Sequence, residues 1–253
     1  MSLSVSALNK SFDSKPVLKN LSFEIPAGSC LGLLGNNGAG KSTLIHTICG
    51  IMQADSGDIS FDGEKKTAED INNLRSKMGI LPESGIINPD LTGREQLSFT
   101  TLLYGLSPEK LREQTETMIE YFFDNPDDLN RRTGTYSTGM RKKLGLIAAF
   151  LHKPSLVLLD EPFSGLDPST SRLVISFLNA YKREDRTLLV SSHNLSYVDQ
   201  VASHIGVLHK GSFAFWGTRQ EFTRDGNAQI EDSLFNLLVP DEKNTERLKE
   251  LLN

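Results

Sequence analysis

The sequence predicts an α/β fold: a mostly parallel sheet with helices on both faces, an antiparallel β subdomain at its front and an inserted helical subdomain. Three observations carry this. Short apolar runs of the buried-strand kind, at 156–159 and 188–190, alternate with helical patterns over 169–183 and 194–203. That alternation implies crossover helices packed onto a parallel sheet. The front of the chain, to about residue 35, reads instead as strands with no helix between them, and residues 90–152 read as successive helices, which marks an insertion.

Each element has a local reason. Residues 4–7 and 17–25 are strand candidates separated by the turn-like cluster Lys-Ser-Phe-Asp-Ser-Lys-Pro at 10–16. Residues 30–34, Cys-Leu-Gly-Leu-Leu, form a short apolar run that stops at Gly35. A helix pattern follows from Lys41 to about Gly50, and residues 57–63 hold a strand between glycine turns. Thr92 and Glu95 make a capping box, so a helix runs on to Tyr104 and stops at Gly105. Ser107 and Pro108 restart one, with Ser as the cap and Pro at the first position. Leu111, Met118, Ile119 and Phe122 then fall on one helical face. Residues 125–136 are polar and loop-like, after which Ser137 caps a helix to about His152. A strand pair at 205–208 and 213–215 closes the domain. The expected organisation is one domain over 1–217, with the helical subdomain at about 90–152, and a short charged helical extension over 218–253 that opens on its own Thr218/Glu221 box.

Composition narrows the class. At roughly 100–200 residues per domain, 253 residues fit one large domain or a domain with an insertion. Hydrophobic residues at 38% against 23% charged suffice for a core, which excludes wholesale disorder. A net charge of −5 removes the global basic field that nucleic acid would attract. Cys30 and Cys49 cannot staple a scaffold and fit a reducing compartment as small buried hydrophobes. The longest clean apolar run, 144–151, falls far short of the ~20 residues of a spanning helix. The first dozen residues lack the apolar stretch of a signal peptide. The expected location is therefore cytoplasmic.

Chemistry concentrates in two places. Gly35-Asn36-Asn37-Gly38-Ala39-Gly40-Lys41-Ser42-Thr43 matches Gly-x4-Gly-Lys-Ser/Thr and sits between a predicted strand and a predicted helix, the context this loop requires. Its glycines let backbone N–H groups turn inward around phosphate oxygens, and the helix amino terminus adds its positive end. Lys41 reaches β- and γ-phosphates and the Ser42 hydroxyl can ligate Mg²⁺. The loop predicts a P-loop NTPase core that binds a nucleoside triphosphate, and alone it does not separate a kinase, a GTPase or a motor. Residues 156–159 then deliver Asp160 and Glu161 at a strand's carboxyl end, where open α/β sheets bind ligands. Alone, this pair reads as a solvated acidic turn. Beside the phosphate loop, Asp160 becomes a Mg²⁺ ligand and Glu161 the group that orients and deprotonates the attacking water.

With these motifs in place the chain resembles the ATP-binding subunit of an ABC transporter, over about residues 3–217. Tyr136-Ser137-Thr138-Gly139-Met140 resembles the family signature, Ser164-Gly165-Leu166-Asp167 the loop after the acidic strand, and Ser192-His193 the switch histidine. The segment from Gly79 to Glu83 resembles the one where most members place glutamine, and Phe12 falls where an aromatic stacks on adenine. From the residues alone Ser137 is a helix cap whose further role stays open, His193 is either a surface histidine at a strand end or, on the sheet edge of Asp160, a γ-phosphate contact, Asp167 is a cap for the next helix, and core packing stays open as a minor reading for Phe12. The resemblance implies more. Ser137 and Gly139 face the γ-phosphate bound by a second protomer, His193 contacts the γ-phosphate bound at its own chain's phosphate loop, and Asp167 touches the partner across a dimer that sandwiches two ATP. It implies ATP hydrolysis with Mg²⁺ held by Ser42, Glu83 and Asp160. It also implies a homodimer or heterodimer of ATPase subunits, separate transmembrane permease subunits, and a location on the inner face of the membrane.

Several positions depart from the family's commonest pattern. Thr138 and Met140 replace Gly and Gln, Asn36 stands where Pro is frequent, and Glu83 stands where Gln is usual. A carboxylate at Glu83 is a harder Mg²⁺ ligand than an amide, and within the family it leans the expectation towards export. A soluble member acting on ribosomes or DNA would be expected to carry two cassettes in tandem or a long coiled-coil insertion, whereas this chain has one phosphate loop and a compact insertion. A kinase or GTPase has no use for the signature, and a non-catalytic subunit would be expected to lack Glu161 or His193. Arg141-Lys142-Lys143 reads as a solvated helix face rather than a nucleic-acid patch. Ile86 and Ile87 are either tucked into the subdomain or offered to the permease.

Overall fold

The front hairpin is tighter than its composition implies. In the computed structural model, which describes residues 1–84 and 87–238, β1 (Leu3–Phe12) pairs antiparallel with β2 (Lys15–Ile25) as far as Phe12 opposite Lys15. The chain therefore reverses over Asp13 and Ser14 alone. Both take left-handed φ, 46° and 64°, the geometry that matches strand twist in a two-residue connection. Phe12 thus ends a strand instead of lying within a loop over 10–16. β4 (Ser56–Phe61) pairs with the other edge of β1, and β5 (Glu64–Lys65) completes an antiparallel sheet in the order β2-β1-β4-β5.

The second sheet holds β3 (Cys30–Leu34), β6 (Met78–Leu81), β7 (Leu156–Asp160), β8 (Thr187–Ser191), β9 (His204–His209) and β10 (Ser212–Thr218). Its order is β10-β9-β3-β8-β7-β6, and every neighbouring pair is parallel except β9 with β10. The period of two in a strand splits its residues between two cores. Val157, Leu159, Leu188 and Val190 enter the one shared with the inserted helices, and Leu156, Leu158 and Leu189 the one shared with the antiparallel sheet. Burial on both faces is why these strands read as unbroken apolar runs.

Helices cover both faces. α1 (Lys41–Ile48) follows β3, and α2 (Ala68–Leu74) precedes β6. The sequence reading passes over both α2 and β6, because a four-residue apolar run before a proline does not separate strand from loop. The insertion holds α3 (Gly93–Leu103), α4 (Pro108–Phe122) and α5 (Thr138–Phe150). Thr92 and Glu95 form the expected box, with Thr92 N–H donating to Glu95 Oε2 at 2.8 Å. Ser107 takes the cap position of α4, but its hydroxyl donates to the Glu109 carboxylate instead of accepting from the helix backbone. α6 (Pro168–Tyr181) joins the insertion to the sheet through Phe177, whose ring meets Phe122 and Phe150 edge-on. α7 (Leu195–Asp199) ends earlier than its pattern suggests, and α8 (Arg219–Phe222) starts on the Thr218/Glu221 box. α9 (Ile230–Leu238) packs through Ile230 and Leu234 into a small core with Val198 and Ala202. The rest of the expected extension lies outside the described residues. Among those described, no helix is long and apolar enough to cross a membrane.

One half-buried histidine sets a pH dependence. His152, just past α5, stacks on Tyr104 with centroids 3.7 Å apart, and its Nε2 lies 3.0 Å from Met78 O. Its Nδ1 is buried without a partner among the described residues. Burial pushes its pKa down from 6.5 to about 4. Between these values the unfolded chain binds a proton that the folded one refuses, so this contribution to stability is full above pH ~6.5 and declines towards pH ~4. Urea unfolding should show stability falling across that window by up to about 1.4 kcal/mol per pH unit. His152→Phe, which keeps a stacking ring, should flatten that slope.

Candidate active site

Adjacent strands β3, β8, β7 and β6 aim their carboxyl ends at one edge of the sheet. The segments that leave them carry Gly35–Gly40, Ser192-His193, Glu161 and Glu83. A cleft of about 520 Å³ opens there, lined by Phe12, Asn36, Asn37, Gly38, Gly40, Lys41, Ser42, Thr43, Glu83 and Glu161. The fold thus collects residues from both sheets on one cavity. Phe12 is 44% exposed, a ring offered to the cleft and not the core residue that its sequence also allowed.

The loop's shape follows from what surrounds it. A Cβ on Gly35 would come within 2.4 Å of Leu208 O, so only glycine lets the chain leave β3 here. Gly40 caps α1 at φ 108° without a side-chain bond, which leaves first-turn N–H groups for an anion. Ala39 is buried behind the loop and does not line the cleft. Lys41 Nζ donates to Gly35 O at 2.7 Å and lies 3.7 Å from Glu161 Oε1.

The acidic strand end is organised by a residue the sequence reading missed. Asp160 and Ser191 are register partners on β7 and β8. Ser191 Oγ donates to Asp160 Oδ1 at 2.5 Å and accepts the Glu161 N–H at 3.0 Å. One hydroxyl therefore holds both acidic residues. The signal for it lay in strand register, which a single sequence does not display. Asp160 Oδ2 is buried with no hydrogen-bond partner among the described residues. A buried carboxylate oxygen without a partner is costly, and a cation ligand is the economical explanation. Glu161 has left-handed backbone, φ 48°, a strain of about 1–3 kcal/mol. Its buried carboxylate meets Lys41 on one side, and on the other His193 Nδ1 lies 2.8 Å from Oε2. His193 is thus joined to Glu161 while its own ring stays largely exposed.

α5 gives a correction and a separation. Lys142 is not on a solvated face: it is 6% exposed, and its Nζ donates to Glu83 O at 3.1 Å. Lys143 lies over the Phe123 ring, 5.7 Å from its centroid. Ser137 caps α5 by accepting from Met140 N–H at 3.2 Å. Neither Ser137 nor Gly139 lines the cleft that holds Lys41. Asp167 caps α6, and the Ser169 and Thr170 hydroxyls with the Thr170 N–H hold its carboxyl well below the usual range. Thr138, where the family signature has Gly, packs over the backbone of Gly165: a Cβ there would meet Thr138 Cγ2 at 2.7 Å. Ile87 is half-buried against the main core, so it is tucked into the domain. Ile86 lies outside the described residues.

Comparison with known proteins shows the family. The family model for ABC transporter matches residues 18–164. The ABC-type transporter ATP-binding protein EcsA of Bacillus subtilis is 35% identical over 242 residues, covering 94% of this chain and 97% of that protein. Nod factor export ATP-binding protein I of Burkholderia thailandensis is 32% identical over 205 residues, covering 81% of this chain and 66% of that protein. The solved structure of an ATP binding subunit of an ABC transporter superposes with a TM-score of 0.83 at 29% identity, covering 94% of this chain and 100% of the other. The chain belongs to the ABC transporter family and carries its ATP-binding, ATP-hydrolysing domain.

Proposed function

We propose that this chain is the ATPase subunit of a transporter whose channel is a separate polypeptide, and that two ATPase subunits close head to tail around two ATP. The observation that carries the reading is the separation of Ser137 and Gly139 from the cleft of Lys41. A capped helix start suited to an anion lies outside the cleft of this chain's own phosphate loop, and a second subunit would bring its counterpart.

Within the closed pair each residue has a task. Phe12 stacks on the adenine, and the N–H groups of residues 36–43 with Lys41 hold the phosphates. Ser42, Asp160 and Glu83 offer hard oxygen donors that suit Mg²⁺, and the partnerless Asp160 Oδ2 supports that fit. Mg²⁺ there would neutralise charge on the β- and γ-phosphates. Glu161 accepts the proton of the attacking water, with His193 fixing its carboxylate from the exposed side. Ser137 and Gly139 of the second subunit complete the γ-phosphate site. Closure on ATP and opening after hydrolysis then bias the permease between two arrangements. The subunit works at the cytoplasmic face of the membrane, held there by the permease. Export is the direction supported by the carboxylate at Glu83 and by the similarity to a Nod factor export protein.

The test is complementation between two dead variants. Lys41→Ala removes the phosphate-loop cation, and Ser137→Arg blocks the cap offered to the partner. Each should turn over ATP at background alone. Mixed, they form dimers with one intact composite site, so turnover should exceed the sum of the two. No gain on mixing, with the parent active, would mean that the site is completed within one chain.

A further inference from the structure

α5 turns a lysine into the core. Lys142 shares its helical stripe with Gly145, Leu146 and Ala149, all turned inward with it. A packing role alone would be served by Met or Leu, and lysine is almost never fully buried without a partner. Among the described residues, the partner is the backbone carbonyl of Glu83, at 3.1 Å. Burial pulls the Lys142 pKa down, while the charges of Glu83, Asp160 and Glu161 push it back up. Glu83 is also a shared wall. It lines the cleft of Lys41 and Ser42 on one side, and on the other a cleft of about 280 Å³ with Thr138, Arg141 and Lys142. Lys142 therefore grips the rear of the residue whose front faces the nucleotide.

We propose that Lys142 is a positioning residue that ties the Ser137 end of α5 to the Glu83 backbone, so that nucleotide bound at Glu83 in one subunit sets the helix end offered to the other. The inference rests on the reading above, in which Glu83 faces Mg-nucleotide and Ser137 acts on the partner's ATP. Ser137 lies five residues from Lys142, about 7.5 Å along a rigid helix. A displacement of the Glu83 carbonyl is passed on because a part-buried, charge-assisted hydrogen bond resists stretching.

The experiment uses the full chain carrying Glu161→Gln, with hydrolysis suppressed. Lys142→Met keeps length and removes charge and donor, and Lys142→Arg keeps both. MgADP affinity reports the single site, and light scattering with MgATP reports dimerisation. For Lys142→Met, MgADP affinity should stay within about threefold of the Glu161→Gln parent, while dimerisation needs at least about tenfold more protein. Lys142→Arg should restore dimerisation. Dimerisation of Lys142→Met at the parent's concentration overturns the proposal. So does an equal loss of MgADP affinity and dimerisation, which would mean general damage to the site. If Lys142→Met does not fold, Lys142→Gln is judged by the same two measurements. A parent that stays monomeric in MgATP, both alone and mixed with a related ATPase subunit, removes the two-site reading and the inference with it, a result distinct from a dimerising parent with an indifferent Lys142→Met.

Discussion

Glu161→Gln lowers ATP turnover by about 10²–10⁴-fold, the usual size of a general-base contribution, and turns a transient ATP-bound dimer into a persistent one. The parts proposed to bind MgATP are untouched: Lys41, Ser42 and Asp160 keep their places, and Ser191 still holds Asp160 Oδ1. The amide copies the carboxylate's shape and still meets His193. It lacks the negative charge that faces Lys41 at 3.7 Å and that would oppose a γ-phosphate. It also cannot accept the water's proton. Binding therefore improves or holds while cleavage stops, and the ATP that bridges the subunits stays intact. Size-exclusion chromatography in MgATP should show a dimer for the variant and mostly monomer for the parent. A monomeric variant at high MgATP, rescued by a related ATPase subunit, would identify a heterodimer. A monomeric variant without such rescue would remove the two-site mechanism.

Lys41→Ala abolishes ATP binding at micromolar nucleotide. Lys41 is buried at the start of α1 and turned onto the loop, with Nζ 2.7 Å from Gly35 O. A single charge-assisted hydrogen bond contributes about 1.5–3 kcal/mol, and in the proposed site this ammonium would reach two phosphates. Its removal should cost affinity by at least about a hundredfold. Calorimetric titration reads this directly, with circular dichroism as the control for folding. Near-parent affinity would mean that the loop does not hold the phosphates.

Most of the site was legible because its residues sit where buried strands end. An apolar run bounded by a glycine-rich loop, or by Asp160-Glu161, is a one-dimensional signal, and the structure places both on one sheet edge. The caps were legible for the same reason: Thr92, Ser137, Asp167 and Thr218 each act on a residue three positions away. What escaped depends on neighbours distant in the chain. Ser191 matters only because β7 and β8 pair in a register that sets it beside Asp160. Lys142 reads as one of three exposed cations until the packing of α5 shows which of them points inward. β6 escaped because four residues cannot display a period, although Met78, Gly79 and Leu81 are buried.

The left-handed backbone at Glu161 has a bearing on how such a protein drifts under selection. Glycine and asparagine adopt that conformation at little cost, so either would relieve strain at the end of β7 and remove a buried carboxylate as well. A population enriched only for heat resistance or yield, blind to ATP turnover, would therefore be pulled away from glutamate at this position. With Glu161 in the proposed role of general base, glutamate is kept there only while turnover is itself what is selected, and folding and catalysis ask for different amino acids at residue 161.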